Sequence, residues 1–412
     1  MNWQAIQLSL GLSALLGLTG CNEAAPELVA AGDLAIINAS VLDVRTGEVL
    51  PNRSVIVRGG VISAVKNTTE SLGPQVIDAR GRLLTPGFVD AHLHLCNVYS
   101  SPACTSPRGG QLRLTMNARA LAGYRRDLAA LYLPYGVTTV RDAGSDERFL
   151  PLLREPAFQG GLIEAEKLGM HVTGHVDYNV VTVERALELG LRNFEHVLPW
   201  VLSSLNQRDV NDIYEDVGRR TNARSRAGFF YLAVPEQWNR VGPNDERVLQ
   251  LIDKLAAAKA SVTPTLHIFA QRLGLTWFTS PARDPNEDAS GFSASDRARG
   301  IAGYRVMASY VKTAYDAGVQ LNIGTDTPEP GKSVLSEMLL LHDAGIPMSQ
   351  VFRIATLDSA HGIGRGAEYG SIEPGKRANL VLFEGNPLRE PRDLLGGKTV
   401  IKDGVVYNPP VR

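Results

Sequence analysis

Short apolar runs broken by glycine and asparagine predict strands near both ends of the chain. Leu34–Asp43, Ser54–Val65 and Val76–Leu84 carry the period-two pattern, and so do Ala378–Phe383 and Thr399–Tyr407. Asp403-Gly404 splits the last run and predicts a two-residue hairpin, because both central positions of that turn take positive φ. Between the two ends the period changes. Met116–Leu133, Val248–Ala258 and Arg299–Ala317 place apolar residues at helical spacing. Strand-like runs sit among them, including Ser261–Leu266 and Phe229–Val234. Alternating strands and helices predict a parallel βα architecture. The outer strands predict a small β-sandwich built jointly by residues 34–84 and 365–412, around a central unit of residues 85–364.

One run carries chemistry. In Thr85-Pro-Gly-Phe-Val-Asp-Ala-His-Leu-His-Leu95 the apolar residues predict a strand. Positions i and i+2 of a strand face one way, so His92 and His94 project side by side. Two imidazoles at a strand end begin a divalent metal site. Without further donors they are equally two polar strand-end residues.

Further segments supply those donors, and together they resemble the amidohydrolase superfamily of metal-dependent hydrolases. The Pro-Gly-Phe-Val-Asp-Ala-His-Leu-His run is similar to the superfamily's first barrel strand. Gly136-Val-Thr-Thr-Val-Arg-Asp-Ala-Gly144 resembles the second strand of the imidazolonepropionase- and prolidase-like branch. Val172-Thr-Gly-His175 resembles the fifth, Asn193-Phe-Glu-His196 the sixth and Ile323-Gly-Thr-Asp326 the eighth. Gly375-Lys-Arg-Ala-Asn-Leu-Val-Leu-Phe383 resembles the superfamily's C-terminal strand, with Asn379 in place of aspartate. The resemblance implies an α/β fold, a (β/α)8-type TIM barrel. It implies one divalent ion, most readily Zn²⁺, held by His92, His94, His175 and Asp326. It also implies roles. Asp326 moves a proton from a metal-activated water to the leaving nitrogen, and His196 stabilises the tetrahedral oxyanion. The implied substrate is a small-molecule amide such as an N-acyl amino acid or a dipeptide. A deaminase of the same superfamily is the neighbouring alternative.

The chain also departs from that pattern. Only 25 residues separate Ser145 from His171, where the superfamily places its third and fourth strands. A single βαβ unit needs about 30 residues. Conversely, 66 residues lie between His196 and Thr263. The barrel is therefore expected to be incomplete or closed in another way, with Phe229–Val234 the first candidate for a replacement strand. No lysine matches the superfamily's bridging position. Lys167, in Glu164-Ala-Glu-Lys-Leu-Gly169, reads as the last turn of a helix. These losses motivate a rival reading, a non-catalytic envelope protein derived from an enzyme.

Other polar residues have weaker claims. Arg141 is a candidate for binding a substrate carboxylate, with an internal ion pair as the alternative. His267, after the seventh strand, is either a substrate contact or a surface imidazole. His171, His342 and His361 read as structural.

The first residues address location. Ile6–Leu18 is an apolar stretch too short for a comfortable membrane span, and Leu18-Thr-Gly-Cys21 resembles a bacterial lipobox. Residues 1–20 are then a lipoprotein signal, Cys21 the lipidated residue and 21–33 a tether. That implies a membrane-anchored, periplasm-facing protein, with the outer membrane favoured because Asn22 follows Cys21. An exported chain gives Cys96 and Cys104 the option of a disulfide; free thiols, or Cys96 on the metal, are the other options. A net charge of −1 gives no basic footprint for nucleic acid. Self-association into a homo-oligomer is one way to cover an incomplete barrel.

Overall fold

Strand β1 (Leu34–Leu42) organises the outer sheet, because it has neighbours from three parts of the chain. It pairs antiparallel with β2 (Val49–Arg58), which pairs with β3 (Val61–Lys66). It pairs parallel with β4 (Gln75–Asp78) and with β5 (Leu83–Pro86). The computed structural model describes residues 33–67, 75–94, 129–143, 171–176, 181–221, 226–278, 292–327 and 331–407. The signal, Cys21, the Cys96 and Cys104 pair, Lys167 and most of the Met116–Leu133 helix lie outside them.

The two chain ends meet at β5. Its other neighbour is β12 (Leu380–Phe383), with Leu84 opposite Leu382. The hairpin of β13 (Lys398–Lys402) and β14 (Val405–Tyr407) extends the sheet from there. Lys402 pairs with Val405, and Asp403 and Gly404 between them have φ of 50° and 78°. Where a small sandwich is expected, both chain ends build one eight-stranded sheet. Val61 bridges Arg377, and the Ile62 N–H donates to the Lys376 carbonyl at 2.8 Å, so β3 reaches the segment leading into β12. Ile36, Val55, Val57, Leu84, Leu380 and Leu382 bury together in a core of their own. The alternate residues Leu83, Val381 and Phe383 face the other way and join the core of the central unit.

Among the described residues six parallel strands build that central unit. Strand β6 (Phe88–Leu93) pairs with β7 (Val137–Asp142). Strands β8 (Gly174–His175), β9 (Asn193–Glu195), β10 (Ser261–Thr263) and β11 (Gln320–Leu321) pair in that order. The two sets join beyond β11. The Ala91 N–H donates to the Ile323 carbonyl at 2.7 Å, and the Thr325 N–H donates to the His92 carbonyl at 2.9 Å. The spatial order is thus β7-β6-β11-β10-β9-β8, the order of a barrel with a stretch missing between β7 and β8. Among the described residues no ladder joins those two strands. The 144–170 segment between them lies outside the described residues.

Among its described residues the segment between β9 and β10 supplies no further strand. It runs through a 3₁₀ turn at Leu198–Ser203 and then α2 (Gln207–Arg220), α3 (Arg226–Val241) and α4 (Glu246–Ala257), with α1 (Val183–Glu188) preceding β9. Phe229–Val234, expected as a strand, lies inside α3. Leu232, Ala233, Val234 and Trp238 are all buried, so this helix packs on several sides. A short apolar run of that kind fits a buried helix as well as a strand. After β10 come α5 (His267–Leu273) and α6 (Ala294–Asp316); α7 (Lys332–Asp343) follows β11. Among the described residues no helix is long and apolar enough to cross a membrane.

Candidate metal centre

Five side chains predicted from far-apart segments converge at the C-terminal ends of the parallel strands. His92 ends β6 and His94 follows it; His175 ends β8, His196 follows β9 and Asp326 follows β11. The ring centres of His92 lie 4.9 Å from those of both His175 and His196, and 5.2 Å from that of His94. Asp326 faces three of them, at 3.8 Å from His92 Nε2, 3.5 Å from His94 Nε2 and 3.6 Å from His196 Nε2. Two overlapping donor groups result, His92 with His94 and His175, and His92 with His196 and Asp326. Within each group the ligand atoms lie inside 4.8 Å of one another.

The backbone is strained to achieve this. His196 has φ of 65°, Thr265 of 55° and Asp326 of 45°. Left-handed conformations at non-glycine residues cost on the order of 1–3 kcal/mol each and persist where surrounding structure imposes them. Part of that structure is Asp90, buried two residues before His92. Its carboxylate accepts from the Thr325 hydroxyl at 2.8 Å and from the Thr325 N–H at 3.2 Å, which ties β6 to the loop carrying Asp326. Burial pushes the Asp90 carboxyl up to about 7, against the lowering by Thr325 and the His92 N–H. Gly324 allows the loop through. A Cβ there would stand 2.3 Å from the Thr263 methyl and 2.6 Å from His92 Cβ.

Glu195, to which the sequence motif assigns no role, joins His92, Arg141 and Thr173. Its Oε2 lies 2.8 Å from His92 Nδ1. Its Oε1 takes the Arg141 guanidinium and the Thr173 hydroxyl. Burial alone would raise this carboxyl, but His92, Arg141 and Thr173 outweigh it and hold it far below the usual carboxylate range. His92 is lowered by burial, yet Glu195 and Asp326 leave it above the ordinary histidine value. Burial and the neighbouring His92 bring His175 down to about 4 and His196 well below its ordinary value, so both are neutral near pH 7.

The two candidate substrate contacts, Arg141 and His267, both have partners within the protein. Arg141 donates through Nε to the Ala91 carbonyl and through Nη2 to Glu195, the internal ion pair that was the alternative to a substrate contact. His267 is fully buried. Its Nδ1 meets Ser336 Oγ at 2.8 Å, and Glu337 accepts the Leu266 and His267 N–H groups at 2.9 and 2.7 Å. Glu337, a buried acid in the middle of α7, had no signal in the sequence that marked it. His171 packs away from the centre, against the Gly362 carbonyl at 2.5 Å.

A cavity of ≈330 Å³ opens from His175, Glu195 and His196 and runs between α2 and α3.

Amidohydrolase family models match residues 75–131 and 299–406, which bring in His92, His94 and Asp326. An imidazolonepropionase of Geobacillus kaustophilus is 25% identical over 87% of this chain and 92% of its own length. The chain belongs to the amidohydrolase superfamily. Membership places it among metal-dependent hydrolases acting on carbon–nitrogen bonds. Adenine deaminase 3 of Rhizobium meliloti is also 25% identical, over 88% of this amidohydrolase, which spans 57% of that relative. Among solved structures, a prolidase complexed with N-methylphosphonate-L-proline superposes with a TM-score of 0.59 at 17% identity, covering 91% of this chain and 99% of its own. Bottromycin amidohydrolase gives 0.57 at 22% identity, covering 94% and 91%. At these identities the superpositions speak for the fold alone.

Proposed function

We propose that the protein hydrolyses the carbon–nitrogen bond of a small-molecule amide with one divalent ion, Zn²⁺ in the first instance, held by His92, His94, His175, His196 and Asp326. The observation that carries this reading is the convergence of four imidazoles and a carboxylate at one end of the strands. The donors suit the ion. Histidine nitrogens, with or without a carboxylate oxygen, are a common ligand set for catalytic zinc. His92 Nε2 is buried without a hydrogen bond and faces the Asp326 carboxylate. A buried polar atom left so is costly unless something binds it.

A divalent ion in such a cluster supplies a water whose pKa falls from 15.7 toward about 7, and it polarises a carbonyl. The chain's own residues do the rest. Asp326 is within reach of three imidazoles and is less buried than they are, so it is placed to take a proton from a water and return it to a leaving nitrogen. Glu195 holds the His92 ring with its Nδ1 turned away from the centre, leaving Nε2 as the donor atom. His196 Nδ1 meets Thr265 Oγ1 at 2.7 Å, and that hydroxyl donates to the Pro264 carbonyl at 2.8 Å. Nδ1 of His196 therefore carries the proton and Nε2 presents a lone pair. This tautomer favours a ligand role for His196 over the oxyanion-stabilising role expected from the sequence.

The test is metal content together with turnover. Purified protein should retain close to one equivalent of metal after dialysis and release amines from a panel of small amides. His92→Ala with His94→Ala should lose both. Metal-free, inert wild-type protein would mean that the fold has outlived its chemistry. The adenine deaminase relatives support a second reading; ammonia released from amidines, with no amide cleavage, would favour it.

A further inference from the structure

The cavity beside the centre has walls whose chemistry restricts what fits. Phe230, Val234 and Gln237 stand at positions i, i+4 and i+7 of α3, so one stripe of that helix faces the space. Val210 on α2 and Leu198 and Leu202 in the 3₁₀ turn form the facing apolar wall. At ≈330 Å³ the space is at the small end of the 300–1,000 Å³ usual for ligand sites.

Charge is confined to the floor. Among the described residues that line the cavity there is no lysine or arginine, and the one carboxylate, Glu195, is already paired with His92 and Arg141. A substrate carboxylate placed against the cavity's upper walls, away from the metal centre, would be buried with no lysine or arginine among the described lining residues to meet it, and an unpaired buried charge is strongly unfavourable. Gln237 differs from its neighbours on the wall. It is only 6% exposed, and its amide makes no hydrogen bond with the described residues. An amide of this kind offers two donors and an acceptor to whatever enters.

The wall is also held in place. Gly303 of α6 touches the Pro235 carbonyl of α3 so closely that a Cβ would stand 1.8 Å from its oxygen. On the face away from the cavity, Glu236 accepts from Arg220 at 2.7 Å and from Arg299. Gln237 therefore sits on a helix locked from behind.

We propose that the substrate buries an uncharged, mainly apolar substituent in this cavity, with Gln237 hydrogen-bonding a carbonyl or hydroxyl on it. The substrate class is a neutral amide, in place of the N-acyl amino acids and dipeptides whose free carboxylate the site would have to strip of water. The proposal rests on the hydrolase reading and narrows it.

Matched pairs of amides test it, each pair differing only by a carboxylate against a hydroxymethyl group, beginning with N-acetyl-L-phenylalanine and N-acetyl-L-phenylalaninol. Binding to the metal-loaded protein is followed by calorimetry and cleavage by amine release. The neutral members should bind or react at least tenfold better. Gln237→Leu should raise KM for them several-fold with little change in kcat. Gln237→Lys should shift the preference toward the carboxylates by tenfold or more. A wild-type preference for carboxylates, or a preference that neither variant moves, would overturn the cavity assignment while amide cleavage keeps the hydrolase reading intact. A panel in which nothing binds or is cleaved would overturn both.

Discussion

Glu195 Oε2 lies 2.8 Å from His92 Nδ1, with both side chains buried, one carried on β9 and the other on β6. The contact aims His92, and His92 together with the Arg141 guanidinium on the carboxylate's other oxygen keeps Glu195 ionised. Partners of this kind behind a ligand typically change metal affinity by about 10–100-fold. Glu195→Gln keeps the shape and removes the charge. Its zinc affinity, read by competition with a chromophoric chelator, should fall by about that factor. Wild-type affinity would show that His92 needs no such support.

Asp326 has the other proposed role, that of proton carrier. Asp326→Asn preserves an oxygen toward the imidazoles but cannot carry a proton. General acid–base catalysis contributes about 10²–10⁴-fold, so kcat should drop in that range while the metal content of the purified variant stays near that of the wild type. Turnover within a factor of a few of wild type would remove Asp326 from the proton path.

His267 gives a pH signature away from the metal. Burial lowers its pKa from 6.5 to about 4. Between those values the unfolded chain binds the proton that the folded chain refuses, so stability rises with pH through that window and is lost on acidification. The full effect is about 3 kcal/mol at one pKa unit per 1.36 kcal/mol. His267→Gln should flatten the dependence of urea midpoints between pH 6.5 and 4 relative to wild type. Parallel pH profiles would place the acid sensitivity elsewhere.

Gly303 tests the locked helix. Gly303→Ala places a methyl 1.8 Å from the Pro235 oxygen, so α3 and α6 must separate. Overpacking of this kind costs about 1–3 kcal/mol. The denaturation midpoint should fall accordingly, and KM for a good substrate should rise as the cavity wall moves. A variant as stable as wild type would mean that the two helices part easily.

Cys21 carries the proposal about location. Cys21→Ser should release the protein from membranes or leave the leader uncleaved, because acylation at that residue is the expected anchor. Mature-size Cys21→Ser protein that still sediments with membranes would refute the lipobox.

The parts of this fold that could be read in the sequence were those set by local rules. The alternation through Phe88–Leu93 placed His92 and His94 together, and Asp403-Gly404 announced its turn. What stayed hidden depends on partners far along the chain. Glu195 meets Arg141 across 54 residues, and no local pattern signals that pairing. A trace was present even so, since Asn193 and Glu195 put two polar residues on one face of a buried strand, an unusual choice unless something polar waits inside. Phe229–Val234 misled because period alone does not separate a buried helix from a strand over so few residues. The single sheet built by both chain ends stayed hidden too, because strand patterns report faces and leave the pairing order open.

The pairing of Leu84 with Leu382 has a consequence for synthesis. Strand β5 emerges from the ribosome early and waits for a neighbour encoded near the end of the message. Until then its free edge, one residue away from β6, is an adhesive surface. The platform beneath His92 is completed only when almost the whole chain has been made. A product released early by a premature stop would therefore lose more than its last strands: it would carry every proposed metal ligand on a platform that never closed, and an open edge that invites aggregation or proteolysis.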